Sequence, residues 1–318
     1  MTPYDRLELL ATVADLYYVE RCSQAEIANR LGYSRSAVSR MLTEAHEHQL
    51  IEIRINHPMQ RVSQLEYALR SRFGLETVYV AQRGFLAYER MLMQLGRLAA
   101  RSLDEVLAES TIIGISWGTA VYEVVNALSP RRLRGVEVVQ LIGGLGKGDP
   151  QIDGPGVAMR LAERLGGRYH SLNAPLIVDN EQTRQSLLAS RVIQDTMQLA
   201  LRADLAVVGI GSVESSRSSL LRTGYLTAEE LDEIGRTGAV GDICGTHFDA
   251  NGCILDIDVN RRVVGINLRE LLDGRCRVIG VGGGRLKAPA IAGALRGNLI
   301  DVLITDSNAA EQVLSMMS

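Results

Sequence analysis

The sequence lacks any apolar run near the ~20 residues that a bilayer-spanning helix needs, although 46% of its 318 residues are hydrophobic. No basic-then-apolar leader opens it either, so a cytoplasmic protein with no membrane partner is expected. Paired cysteines are also missing. Cys22, Cys244, Cys253 and Cys276 follow no CxxC spacing, and no histidine stands at a zinc-site interval. Buried free thiols are expected, with no metal, no disulfide and no cofactor. Aromatics make up only 4% and the net charge is −3, so nothing global advertises nucleic acid and any DNA contact must come from a local patch. Lysine is the scarcest cation: of 34 basic residues only Lys147 and Lys287 are lysines, both in glycine-rich loops where an ammonium serves in place of a guanidinium.

What is present falls into two rhythms. From Tyr4 to Tyr18 apolar residues recur at helical spacing. Ser23-Gln-Ala-Glu26 is a capping box that opens a second helix, which ends at Gly32. Ser34 caps a third helix running to about Gln49, and 50–55 alternates like a short strand or wing. Ile27, Ala28, Leu31, Val38, Met41 and Leu42 face inward. Ser34, Arg35, Ser36, Ser39, Arg40 and Thr43 are left on the outer face, residue types that bond base edges and phosphates from the major groove. A helical hairpin with a solvated polar face would show the same spacing. The absence of acids between Glu26 and Glu44 favours the DNA-reading alternative, a helix-turn-helix on double-stranded operator DNA. Residues 1–60 nonetheless carry more acids than bases, so a single copy would bind weakly and the domain is expected to work as an oligomer.

A helical stretch over 59–72 is expected to link this domain to the rest. Thereafter short apolar runs at 77–81, 111–115, 136–142, 205–210, 277–281 and 299–305 alternate with helical patterns at 90–108, 157–165, 183–203 and 288–296. Buried strands separated by helices predict a doubly wound, mostly parallel α/β sheet. The organisation read is therefore 1–57 as a winged helix-turn-helix domain, 58–74 as a linker helix, and 75–318 as a ligand-binding and oligomerisation domain.

Four glycine loops follow strands, where open α/β sheets bind ligands. They are Gly114-Ile-Ser-Trp-Gly-Thr-Ala120, Gly143-Gly-Leu-Gly-Lys147 with Asp149 and Asp153 beyond it, Gly209-Ile-Gly-Ser212, and Gly280-Val-Gly-Gly-Gly-Arg-Leu-Lys287. Ser116, Gly118 and Thr119 would present hydroxyls and amides to a phosphate at a helix start. Glycines in any one loop would equally make a tight turn; all four together point to a ligand. The dinucleotide fingerprint fails at Glu214, and the P-loop pattern fails because Ala288 follows Lys287. Asp249, before Ala-Asn-Gly, is a candidate for sugar hydroxyls or simply a turn initiator.

Over essentially its full length the chain resembles the SorC-type sugar-binding transcriptional regulators. The resemblance is carried by Tyr17-Tyr18, Ser23 through Ala28, Ser34-Arg35, Val38 through Leu42, Gly114 through Thr119, Gly241-Asp-Ile-Cys-Gly245, Phe248-Asp249 and Gly282-Gly283 through Lys287. It implies a sensor domain like the ribose-phosphate isomerase and glucosamine-phosphate deaminase fold without their activity. It also implies a homodimer or homotetramer and a phosphorylated sugar or polyol as effector. By the same carry-over Ser116, Gly118, Thr119, Gly283 and Gly284 would hold phosphate, Asp249 and Asp153 hydroxyls, and Lys287 the anion. Some relatives carry an arginine just before the Gly-Gly-Leu-Gly loop for a second phosphate; Ile142 stands there here. The competing class is a sugar-phosphate isomerase or deaminase, for which Asp153, Asp249 and His247 are the candidate bases; no catalytic residue is expected.

Overall fold

A computed structural model describes residues 3–48, 50–51, 60–144, 152–274 and 276–316. Most of the expected wing, together with Lys147 and Asp149, lies outside them. The chain divides into two compact units, Met1–Pro58 and Met59–Ser318.

In the first unit α1 (Pro3–Ala14) runs into a π-helical turn at Asp15–Val19, followed by α2 (Gln24–Leu31) and α3 (Arg35–Glu47). The capping box closes as its spacing dictates: Ser23 Oγ accepts from the Glu26 amide at 3.3 Å, and the Ser23 amide donates to Glu26 Oε2 at 2.7 Å. Gly32 ends α2 in the left-handed region, φ 74°. Leu10, Val13, Leu16, Ile27, Val38 and Ala45 form the centre of a small core.

In the second unit α4 (Ser63–Phe73) packs its Leu69 into the larger core, so the helix read as a link is seated on this unit. Nine strands follow: β1 (Thr77–Ala81), β2 (Ile112–Ile115), β3 (Glu137–Gln140), β4 (Arg168–His170), β5 (Leu205–Gly209), β6 (Ala239–Ile243), β7 (Thr246–Asp249), β8 (Arg277–Val281) and β9 (Val302–Asp306). Seven make a wholly parallel sheet in the order β1-β9-β8-β5-β2-β3-β4, while β6 and β7 form a separate antiparallel hairpin. Strand residues alternate between two cores: Leu205 and Val207 face one, Ala206 and Val208 the other. Helices α5 (Tyr88–Val106), α6 (Thr119–Ala127) and α7 (Gly154–Leu165) cover the first face. On the opposite face lie α4, α9 (Arg191–Leu201), α14 (Ala288–Arg296) and α15 (Ser307–Ser315). Between them in chain order come α8 (Glu181–Leu188), α10 (Ser219–Arg222), α11 (Ala228–Arg236), α12 (Asp258–Arg262) and α13 (Leu268–Asp273).

The expected doubly wound α/β architecture is therefore present, with two local differences. The helix predicted over 183–203 is two helices, because the backbone turns to extended geometry at Ser190, ψ 128°. The hairpin β6–β7, where Gly241 and Asp242 interrupt the apolar run, and the three-residue edge strand β4 are too short and irregular to announce themselves by periodicity. No helix among the described residues is long and apolar enough to cross a membrane.

Candidate functional site

Strand order reverses at the β2–β5 pair, since β3 and β4 build outward from β2 while β8 and β9 build outward from β5. The loops leaving the carboxyl ends of such a pair splay apart and open a crevice. Here the crevice is lined by Ser116, Gly118, Thr119, Gly211, Asp242 and Lys287, with Trp117 forming part of its wall. Ser116 is buried and its Oγ accepts the Gly209 amide at 3.2 Å, tying the two loops together and leaving the hydroxyl proton as a donor. Gly118, φ 111°, occupies the N-cap of α6, so no side chain satisfies the first amides of that helix. A Cβ at Gly118 would meet nothing within 4 Å, which leaves those amides open to the crevice. A free helix N-terminus of this kind attracts an anion through aligned N–H groups and the positive end of the helix dipole.

Lys287 supplies the opposing charge. It is buried at the start of α14, where its Nζ donates to the Ile210 carbonyl at 2.6 Å. Burial pushes its pKa down to about 8, opposed by the nearby Asp242 carboxylate and reinforced by Arg222 and Arg217. Asp242 accepts the Gly245 amide through Oδ2 at 3.2 Å, while Oδ1 carries no hydrogen bond among the described residues. A Cβ at Gly211 would stand 1.8 Å from that Oδ1, so only glycine lets the carboxylate lie there. The crevice thus offers amides and an ammonium for an anion, and a carboxylate acceptor for hydroxyls.

Gly283 and Gly284 do not line this crevice. They line an adjacent cavity that shares Lys287 with it. Asp153 caps α7 by accepting the Gly154 amide at 2.7 Å, and its neighbour Ile152 accepts the Gly118 amide of the loop at 3.4 Å. Asp249 is committed elsewhere: its Oδ1 accepts the amides of Asn251 and Cys253 at 2.9 and 2.8 Å. The turn role proposed for Asp249 is the one the geometry displays, and the acid in the crevice is Asp242. Sequence reading missed Asp242 although it stands inside the Gly241–Gly245 motif. His247 is buried with its Nδ1 3.2 Å from Asn260 Oδ1, and burial lowers its pKa, keeping the ring neutral. No group of three or more His, Cys, Asp or Glu suited to a metal occurs among the described residues.

In the first unit the outer face of α3 is exposed at Ser34, Arg35, Ser36, Ser39, Arg40 and Thr43. Ser34 doubles as the cap, accepting the Ala37 amide at 3.2 Å. Arg35 and Arg40 form no ion pair among the described residues, which leaves both guanidiniums to outside acceptors. The acidity noted around this helix is partly offset, because Glu44 holds a two-pronged bond to Arg6 and its carboxyl lies below the usual range.

A helix-turn-helix with an unpaired basic face, joined in one chain to an α/β unit whose crevice presents amides, an ammonium and a carboxylate, fits the class of ligand-responsive DNA-binding proteins. A family model described as a sugar-binding domain, Sugar-bind, matches residues 57–315. The chain is 32% identical over 311 residues to the deoxyribonucleoside regulator of Bacillus subtilis (strain 168), covering 98% of each. It is 34% identical over 312 residues to the transcriptional regulator LsrR of Enterobacter sp. (strain 638), covering 97% of this chain and 93% of that one. The full-length sorbitol operon regulator SorC of Klebsiella pneumoniae is similar in structure, with a TM-score of 0.74 and 32% identity, covering 98% of this chain and 99% of that chain. The chain belongs to the SorC-type family of sugar-binding transcriptional regulators.

Proposed function

We propose that this regulator controls a carbohydrate-utilisation operon, and that its affinity for operator DNA changes when a phosphorylated sugar or polyol occupies the β2–β5 crevice. The observation that carries this reading is the uncapped N-terminus of α6 in one crevice with the buried Lys287 ammonium. A buried cation without a full counter-charge is costly, and a phosphate at the open amides supplies that charge. Asp242 then selects for hydroxyls on the carbon skeleton. Curated relatives are named for deoxyribonucleosides and for the sorbitol operon, which agrees with a sugar-derived effector.

We read the site as non-catalytic. Isomerisation or deamination needs a positioned base that moves a proton at carbon, and the candidates are otherwise engaged: Asp153 in a helix cap, Asp249 in a turn, His247 in a buried pair with Asn260. We further propose that the protein acts as a homodimer or homotetramer, because one small helix-turn-helix offers few phosphate contacts.

A thermal-shift screen of sugar phosphates beside the corresponding free sugars tests the effector class. Phosphorylated compounds should raise the melting temperature and the free sugars should not; stabilisation by free sugars alone would refute it. For the compound that stabilises most, Asp242→Asn should weaken binding by roughly 10- to 100-fold, the value of a lost charged hydrogen bond. Asp249→Asn should leave affinity within about twofold and lower stability slightly, a turn acceptor being worth about 1 kcal/mol. The opposite ranking in a calorimetric titration would return Asp249 to the binding site.

A further inference from the structure

The cavity beside the crevice has no part in the reading above, yet it is lined by several cations. It encloses about 180 Å³ and is lined by Arg83, Tyr88, Arg217, Arg285 and Lys287 together with the Gly283-Gly284 backbone. No acid lines it. Two carboxylates stand near it: Asp242, on the crevice side of Lys287, and the wholly buried Asp306, whose oxygens are already used, Oδ2 accepting the Gly284 amide and Oδ1 the amides of Asn308 at 3.0 Å and Ala309 at 3.4 Å. Arg83 reaches only to 3.8 Å from that Oδ1, an ion-pair distance too long for a hydrogen bond.

The arginines are also held in place. Arg217 stacks on the Tyr88 ring with its guanidinium carbon 4.1 Å from the centroid, which fixes the plane and leaves its N–H edges free. Arg83 is mostly buried, its side chain 17% exposed. Gly284, φ 92°, lies against Arg83 and Tyr88: a Cβ there would stand 3.4 Å from Arg83 Nη1 and 3.3 Å from the Tyr88 ring. Surface arginines ordinarily spread into solvent or pair with acids. Arg83 and Arg217 instead converge on a hollow that no described carboxylate lines, and the Arg217 charge adds to the burial that depresses the Lys287 pKa.

We propose that this cavity is a second subsite for a phosphate-sized oxyanion, held by Arg83 and Arg217, so that the effector carries two anionic groups flanking Lys287. The inference rests on the crevice being the first anion site and adds the chemistry of the ligand's other end. It places the second anion on the β9 side of Lys287, away from Ile142, so the missing arginine at that position does not limit the ligand to one charge.

Equilibrium dialysis of the full chain against radiolabelled inorganic phosphate at neutral pH and low salt tests the subsite. Two phosphates per chain are expected. The Arg83→Gln/Arg217→Gln variant should retain one, with the lost site weakened at least tenfold. Thr119→Asp, which places a carboxylate on the open N-terminus of α6 where helices tolerate it well, should lose the other. Arg217→Lys should weaken the second site several-fold, because it keeps the charge and loses the fork and the stacking. Melting curves of each variant establish that it is folded. If the wild type binds one phosphate that the double arginine variant keeps, the second subsite is overturned and the crevice stands. If it binds one that only the arginine variant removes, the crevice reading fails and the arginine subsite stands. Binding of none overturns both.

Discussion

A Lys287→Met chain should melt at or a few degrees above the wild-type temperature, yet lose all stabilisation by phosphorylated ligands. The reason is the cost of the buried ammonium. A pKa of about 8 against an ordinary 10.5 corresponds to about 3 kcal/mol of destabilisation at neutral pH, at about 1.4 kcal/mol per unit. Methionine removes that cost but strands the Ile210 carbonyl, which Lys287 Nζ now satisfies at 2.6 Å. Stranding a buried acceptor costs about 1–3 kcal/mol, so the balance is neutral to favourable. A lowering of the melting temperature beyond about 5 °C, at roughly 2–4 °C per kcal/mol for a unit of this size, would show that the lysine is structural.

The pH dependence has opposite signs for the fold and for the ligand. The folded pKa lies below the unfolded one, so the free protein is penalised below about pH 8 and relieved as pH rises from about 8 toward 10.5. An anion in the crevice favours the charged form, so its affinity should be full at pH 7 and fall as pH rises through about 8. Calorimetric titrations between pH 7 and 9.5 should show proton uptake on binding in wild type and none in Lys287→Met.

Arg40→Ala should weaken sequence-specific DNA binding by roughly 10- to 100-fold, the usual value of a base-edge contact of about 1–3 kcal/mol, while leaving ligand-induced melting shifts unchanged. Arg40 is exposed on α3, belongs to no ion pair among the described residues, and leaves the core residues Val38 and Met41 undisturbed when truncated. A loss of the same factor on random DNA would assign Arg40 to phosphate contact in place of base reading, and its salt slope would fall by about one. An unchanged affinity would remove α3 as the reading helix.

The parts of this protein that were legible in the sequence are those specified over a few residues. The capping box, the left-handed Gly32 and the inward spacing of α2 and α3 are local, and all appear where the spacing put them. The helix over 288–296 and the strands at 77–81 and 277–281 match to the residue. Long-range convergence was not legible. Arg83 and Arg217 line one cavity, Arg217 on the Tyr88 ring, because β1 ends beside β9 and the loop after β5 crosses to it, a juxtaposition that local sequence does not announce. Asp242 was passed over in favour of Asp249 for a related reason. The Ala-Asn-Gly turn after Asp249 attracts the eye, whereas Asp242 is marked only by its glycine neighbours. Gly241 is required because a Cβ there would meet Ala290 Cβ at 2.4 Å, so the strand carrying Asp242 is pressed against α14, the helix that begins beside Lys287.

The two halves of the chain matter together only if occupancy of the crevice changes DNA affinity, which requires different ligand affinities in two arrangements of the protein. The most direct test is a fluorescence-anisotropy titration of the full chain against the DNA flanking its own gene, at modest salt, with and without the sugar phosphate that raises its melting temperature most. Specific binding is expected, with the dissociation constant displaced by roughly 5- to 150-fold in the presence of the sugar phosphate, and with that displacement absent in Lys287→Met. Absence of sequence-specific binding, or a stabilising sugar phosphate that leaves the dissociation constant unchanged, would contradict it.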